Sequence, residues 1–277
     1  MLLINLIEKC AADFFLKPYK KDRVNRKKNT FAEISKVMKK FSIGFLFLFF
    51  WAGFMASAQK TVEKQNLLWT RYLLKVKVSD KYQIRQEVEE RTYWFPWRQH
   101  QFVMRTLLER RLGKGWNVGG GFTYFLHSLP NSPDAEVVQK KLELRPQLEV
   151  IYQQNLSPKF SLQHRYWFEW RFYQKEPQGF EHISNRFRYR MEFSYVPHPK
   201  LTLKVFDEIH LHLAHKTNPN VFDQNRVGGS VIFMPEPNFG LELGYLNWFQ
   251  QKPSGNDFFS RNITRITLHH TLNFAKK

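Results

Sequence analysis

Residues 160–173 read Phe-Ser-Leu-Gln-His-Arg-Tyr-Trp-Phe-Glu-Trp-Arg-Phe-Tyr, and this order decides the fold. Leu162, His164, Tyr166, Phe168, Trp170 and Phe172 share one parity. Gln163, Arg165, Trp167, Glu169 and Arg171 share the other. Successive side chains of an extended strand point to opposite faces, so a period of two separates these sets where a helical period would mix them. One face is apolar and aromatic; the other is largely charged.

The same alternation runs through residues 67–274. In 185–195, Phe187, Tyr189, Met191, Phe193 and Tyr195 oppose Arg186, Arg188, Arg190 and Glu192. Near the end, Thr264, Ile266, Leu268, His270, Leu272 and Phe274 oppose Arg265, Thr267, His269, Thr271 and Asn273. Strands are expected near 67–78, 82–93, 99–112, 116–127, 139–154, 160–173, 184–195, 201–213, 224–234, 239–249 and 262–274. Short turns are expected at 79–81, 113–115, 155–159, 196–200 and 235–238. Longer loops are expected at 128–138, 174–183, 214–223 and 250–261, with 94–98 in the loop class by order. Such strands are long enough to cross a bilayer when tilted, which takes about 9–11 residues, whereas globular strands average about 5–6.

The distribution of side chains points the same way. Tyr82, Trp116, Tyr152, Phe160, Tyr195, Phe233, Phe239 and Phe274 lie on apolar faces beside a short turn or the C-terminus. They read as one aromatic girdle, with Tyr124, Trp170, Phe172, Phe187 and Trp248 as the other. The opposite faces carry Arg85, Glu87, Arg105, Glu109, Glu143, Arg145, Arg165, Glu169, Arg171, Arg188, Arg190, Glu192, Glu208, Arg226, Glu242 and Arg265. A soluble core built from that set would carry large desolvation costs. A barrel with lipid outside and a polar lumen accommodates it. The expected fold is an all-β, antiparallel transmembrane β-barrel of about 10–12 strands, with short periplasmic turns and longer extracellular loops. Eleven segments raise a parity problem, since single-chain bacterial barrels have even strand numbers; the segment 60–98 is where the count stays open.

The composition narrows the class. The chain has 277 residues with 43 Lys+Arg and 24 Asp+Glu. Its aromatic share of 17% argues against disorder. The single cysteine, Cys10, excludes a disulfide framework and a cysteine zinc site. Met38-Lys39-Lys40, the apolar run Phe41–Met55 and Ala56-Ser57-Ala58 form a secretory signal pattern, with cleavage expected between Ala58 and Gln59. Residues 38–58 are therefore read as the signal peptide, 59–277 as one outer-membrane barrel domain, and 1–37 as an upstream extension from a misassigned start. Export directs the chain to the bacterial outer membrane. There it would meet the barrel-assembly machinery, outer-membrane lipids and lipopolysaccharide, whose anionic phosphates suit the excess positive charge.

Lys141-Leu142-Glu143-Leu144-Arg145-Pro146-Gln147-Leu148-Glu149, Asn185-Arg186-Phe187-Arg188-Tyr189-Arg190, Asp207-Glu208, Phe222-Asp223-Gln224-Asn225-Arg226 and Gly244-Tyr245-Leu246 resemble the family of domain of unknown function 2490 (DUF2490). The resemblance covers roughly residues 67–274. It implies an outer-membrane barrel of a Gram-negative bacterium with no established activity, and it supplies no catalytic residue.

No nucleophile elbow, phosphate loop, Rossmann fingerprint or HExxH motif occurs, and no cofactor is expected. Arg145, Arg165, Glu169, Arg171, Arg188, Arg190, Glu192, Glu208, Arg226 and Arg265 are read as a lumen charge ladder, pairing across strands and pinning their register. His210, His212 and His215 are candidate metal ligands. His269, or the His210/His212 pair, is the candidate base of a lipid hydrolase or acyltransferase. Basic residues alternate with acids instead of forming a continuous stripe, so nucleic acid is not an expected partner. The leading expectation is a non-enzymatic narrow pore, solute-binding or structural barrel, with a small anionic solute as its ligand because rings of Arg and Lys favour anions. The alternatives are an outer-membrane lipid-modifying enzyme and a soluble exported ligand-binding barrel.

Overall fold

The computed structural model describes residues 60–177, 179–216 and 220–275. The signal peptide, the Ala58–Gln59 cleavage point and residues 1–37 lie outside the described residues. Among the described residues eleven strands follow one another: β1 (Thr61–Lys77), β2 (Tyr82–Tyr93), β3 (Arg98–Gly113), β4 (Trp116–Leu129), β5 (Gln139–Asn155), β6 (Phe160–Lys175), β7 (Gly179–His198), β8 (Leu201–His215), β9 (Phe222–Glu236), β10 (Phe239–Gln251) and β11 (Asp257–Asn273). Each pairs antiparallel with its sequence neighbours, and β1 pairs with β11 to close the barrel. Closure leaves no sheet edge with unpaired backbone groups. Among the described residues no helix is long and apolar enough to cross a membrane, which is silent about strands.

The odd strand number resolves through the closing seam. In an up-and-down barrel of eleven strands, the first and last run in the same direction. They pair in parallel over their full lengths, from Thr61 opposite Asp257 to Lys77 opposite Asn273. No strand is missing from the sequence reading. The seam also explains why β1 and β11 begin several residues before the expected 67 and 262: the stretches 61–66 and 257–261 are extended because they pair with each other. The expected long loops shrink for a similar reason. β6 and β7 pair as far as Lys175 opposite Gly179, so most of 174–183 is strand.

The two rims differ as the sequence implies. One carries tight turns, of which Gly113-Lys114-Gly115 is the sharpest. All three residues have positive φ (89°, 49° and 83°), and a Cβ on Gly115 would sit 2.1 Å from the Gln153 carbonyl oxygen. Glycine is the residue that takes such a conformation without strain. The other rim carries the β4–β5 connection, Pro130–Val138, and the shorter links of β2–β3, β6–β7, β8–β9 and β10–β11.

The surface is inverted relative to a soluble protein. Met104, Leu108, Phe122, Leu148, Val205, Leu243 and Ile266 are exposed, whereas Glu143, Arg145, Glu169, Arg186, Arg188 and Glu208 are buried. Tyr82, Trp116, Phe160, Phe233, Phe239 and Phe274 are exposed at the short-turn rim. There Trp116 packs on Tyr152 and Phe160 on Tyr195, both with ring centroids 4.6 Å apart. Trp248, expected in the second girdle, is instead buried inside, only 3% exposed. It shares parity with Glu242 on β10, so the period of two itself places it in the lumen.

The seam register makes a direct test. Thr70 and Ile266 face outward and pair across it. In a Cys10→Ser background, Thr70→Cys with Ile266→Cys is expected to cross-link under mild oxidation, giving a reducible mobility shift on denaturing gels. Thr70→Cys with Phe274→Cys is expected to give none. The reverse pattern rejects the parallel seam.

Candidate functional site

The lumen gathers the charged faces of all eleven strands, and most of its carboxylates are shared among several cations. Glu169 on β6 accepts from Arg186 at 2.6 Å and from Arg188 at 3.0 Å, with Arg145 at 4.0 Å. Glu208 on β8 takes Arg165 at 2.7 Å and Arg188 at 2.8 Å. Glu143 on β5 is gripped by both arms of Arg145 at 2.7 Å, by Arg171 at 2.5 Å and by His127 at 2.7 Å. Glu87 on β2 accepts from Arg105 at 2.6 Å, and Glu242 on β10 from Arg265 at 2.9 Å. Arg190 bonds Glu192, which Lys204 also reaches at 2.6 Å. These links join neighbouring strands and also strands that are not neighbours, as when Arg85 on β2 reaches Glu149 on β5 at 2.8 Å. Charge-assisted, forked contacts of this kind are the strong class of hydrogen bond.

Arg226 alone of the ladder has no carboxylate at ion-pair distance among the described residues. Its guanidinium lies 4.7 Å from the ring of Trp248 and 5.4 Å from that of Trp69. This is one case of a wider pattern. Trp167, 1% exposed, is flanked by Arg188 at 4.1 Å and by Arg105 and Arg165, each at 4.7 Å. Arg91 lies 3.8 Å from Trp69, Arg190 3.6 Å from Phe206, and Arg145 4.0 Å from Phe125. Guanidinium planes stack well on aromatic faces, and the attraction grows when water is excluded.

These stacks fill the middle of the barrel. The lumen holds a cavity of about 740 Å³ at the short-turn rim and one of about 250 Å³ at the opposite rim. Between them lie two voids of about 60 Å³, bordered by Arg91, Arg105, Arg188 and Arg226. Each has room for a few waters only.

The candidate metal ligands do not converge. His210 Nδ1 meets the side-chain amide of Gln224 at 2.7 Å, and its Nε2 lies 3.3 Å from Glu208. His212 lies 3.7 Å from Asp223 and packs edge-on against the ring of His215. Among the described residues no three His, Cys, Asp or Glu side chains form a metal-holding group. The physical reason is spacing: inward neighbours on one strand lie about 6–7 Å apart, and His210 and His212 face different acids, Glu208 and Asp223. His269 faces the lumen and bonds Glu242 at 2.8 Å. The hydroxyl of Thr267, one inward position away, accepts from Arg71 at 3.1 Å. His270 is outside, bonded to the Tyr72 hydroxyl at 2.7 Å.

Several lumen residues escape a reading by charge ladder alone. Arg71, Glu89, Arg91, Glu149, Asp223 and Arg261 all lie inside; Glu89, Arg91, Glu149 and Arg261 are in phase with residues already assigned there, whereas Asp223, out of phase with Arg226, is turned inward by a register irregularity between β8 and β9. Arg71 was hidden because its inward neighbours on β1, Trp69 and Leu73, are apolar. Parity, not polarity, is the signal that finds it.

Residues 66–259 match the model of a family described as a protein of unknown function, DUF2490. No curated protein matches the chain. Among solved structures, a NanC porin in a rhombohedral crystal form is similar at 11% identity, covering 74% of this chain and 97% of that one, with a TM-score of 0.46.

The network predicts unequal costs for removing its acids. Glu169→Gln removes the carboxylate that Arg186 and Arg188 share, leaving them Asp223 and Glu208 respectively, and is expected to destabilise the barrel by about 1.5–3 kcal/mol. Glu181→Gln, which breaks the exposed pairs with Lys175 and Lys216, is expected to leave stability unchanged. Denaturant unfolding followed by tryptophan fluorescence measures both.

Proposed function

This chain belongs to the DUF2490 family, and from its geometry we propose that it is a non-enzymatic outer-membrane barrel whose lumen is closed across the middle. The observation that carries the membrane reading is the inversion of polarity, with apolar side chains outside and interlocked charges inside. Exposing that belt to water would be costly, whereas hydrocarbon solvates it. The aromatic rings at the short-turn rim suit a membrane–water interface, and the tight turns suit the periplasmic side.

A closed middle favours a binding or structural role over an open pore. A conducting path has to pass the layer where Trp167 is clamped by three arginines. Lipid-modifying chemistry finds little support. Of the imidazoles, His269 pairs with a carboxylate inside the lumen, away from the lipid, and the outward His270 bonds a tyrosine.

The localisation is tested by gel mobility of the protein from an outer-membrane fraction, with and without boiling. A heat-dependent shift is expected; recovery in the periplasmic supernatant with no shift rejects the reading. The closure is tested in planar bilayers. The wild-type protein is expected to show no sustained open-channel current, and Trp167→Ala with Arg188→Ala to introduce one. A steady wild-type current rejects the closed lumen.

A further inference from the structure

The cavity at the short-turn rim is lined by ten Lys and Arg side chains against four Glu. The four carboxylates are already engaged. Glu109 is held by Arg85 at 3.0 Å, Glu87 by Arg105, Glu192 by Arg190 and Lys204, and Glu242 by Arg265 and His269. Lys75 and Lys77 on β1, Arg111 on β3 and Lys114 in the turn after it line the same cavity, and among the described residues none has a carboxylate within ion-pair distance. The registers bring them close. β1 and β3 flank β2, with Lys75 opposite Arg85, Lys77 opposite Gln83, and Gln83 opposite Glu109.

Four cations without an acid partner line this cavity, Lys75 part-buried in the wall and Lys77, Arg111 and Lys114 exposed at its mouth, and they repel one another. An anion of matching charge removes that repulsion. Monovalent ions answer one cation each, whereas a polyvalent one answers several at a single entropic cost. The Arg111 guanidinium adds a planar fork suited to phosphate or carboxylate oxygens. About 740 Å³ is the size of a small-molecule site.

We propose that this cavity binds one small polyvalent anion bearing phosphate or carboxylate groups, with Lys75, Lys77 and Arg111 as its principal ligands. The anion enters from the short-turn side and stops at the Trp167 layer. The proposal deepens the binding role above, and it needs the folded barrel but not the closed lumen.

Isothermal titration of pyrophosphate and of citrate into detergent-purified full-length protein tests it, using preparations whose heat-dependent gel shift shows a folded barrel. Saturable binding of one anion per barrel is expected for at least one of the two probes, weakening as salt rises. Lys75→Gln with Lys77→Gln and Arg111→Gln is expected to weaken it about tenfold or more. Lys159→Gln, in a turn at the same rim outside the cavity, is expected to leave it unchanged. If the triple variant does not fold, the single variants Lys75→Gln and Arg111→Gln carry the test, each with a measurable loss of affinity. No saturable binding of either probe to folded wild-type protein overturns the proposal. So does equal affinity in the folded variants, or acetate binding as tightly as the polyvalent probes. A conducting barrel that binds pyrophosphate rejects the closed lumen and keeps this site; a closed barrel that binds neither probe does the reverse.

Discussion

Carboxylate sharing inside a sealed barrel is the constraint on which the rest depends. Glu143, Glu169 and Glu208 are all but fully buried, and each is contacted by at least two guanidinium groups. An isolated charge at such a depth would be prohibitively costly. Shared among several partners, the same charges tie β5, β6, β7 and β8 into one network. Register then matters more than it does in a simple apolar barrel. A slip of one residue would turn the inward arginines outward and the outward leucines inward.

The excess of cations over acids explains why the interior is also aromatic. Once the carboxylates are saturated, Arg226 and Arg261 remain, and stacking on Trp248 gives both a favourable face. Trp69, Phe125, Trp167 and Phe206 serve other arginines in the same way. The stacks fill space that water would otherwise occupy, so saturating the charge and closing the lumen are two results of one arrangement. Towards the short-turn rim the buried arginine–aromatic stacks give out. There the cavity opens and, among the described residues, Lys75, Lys77, Arg111 and Lys114 stand without acids at ion-pair distance.

Much of this is legible in the order of residues. In 160–173 the two parities separate the outward rings from Arg165, Glu169 and Arg171, and the structure places them so. Reading Trp248 as a girdle residue failed because its chemistry was weighed above its phase. The His210, His212 and His215 spacing looked like a metal motif, but strand pitch separates the inward rings and Gln224, Glu208 and Asp223 engage two of them.

Sequence alone therefore determined the strands, their facing and the polarity of each side, because a period of two is a local property of extended chain. It could not determine which carboxylate meets which guanidinium. Arg85 and Glu149 lie 64 positions apart and meet only through barrel curvature. Nor could it show that β1 and β11 join in parallel, or that the middle is filled while one rim is open. Those outcomes depend on closure, which brings distant strands round a common axis and leaves their inward side chains a volume that no single strand defines.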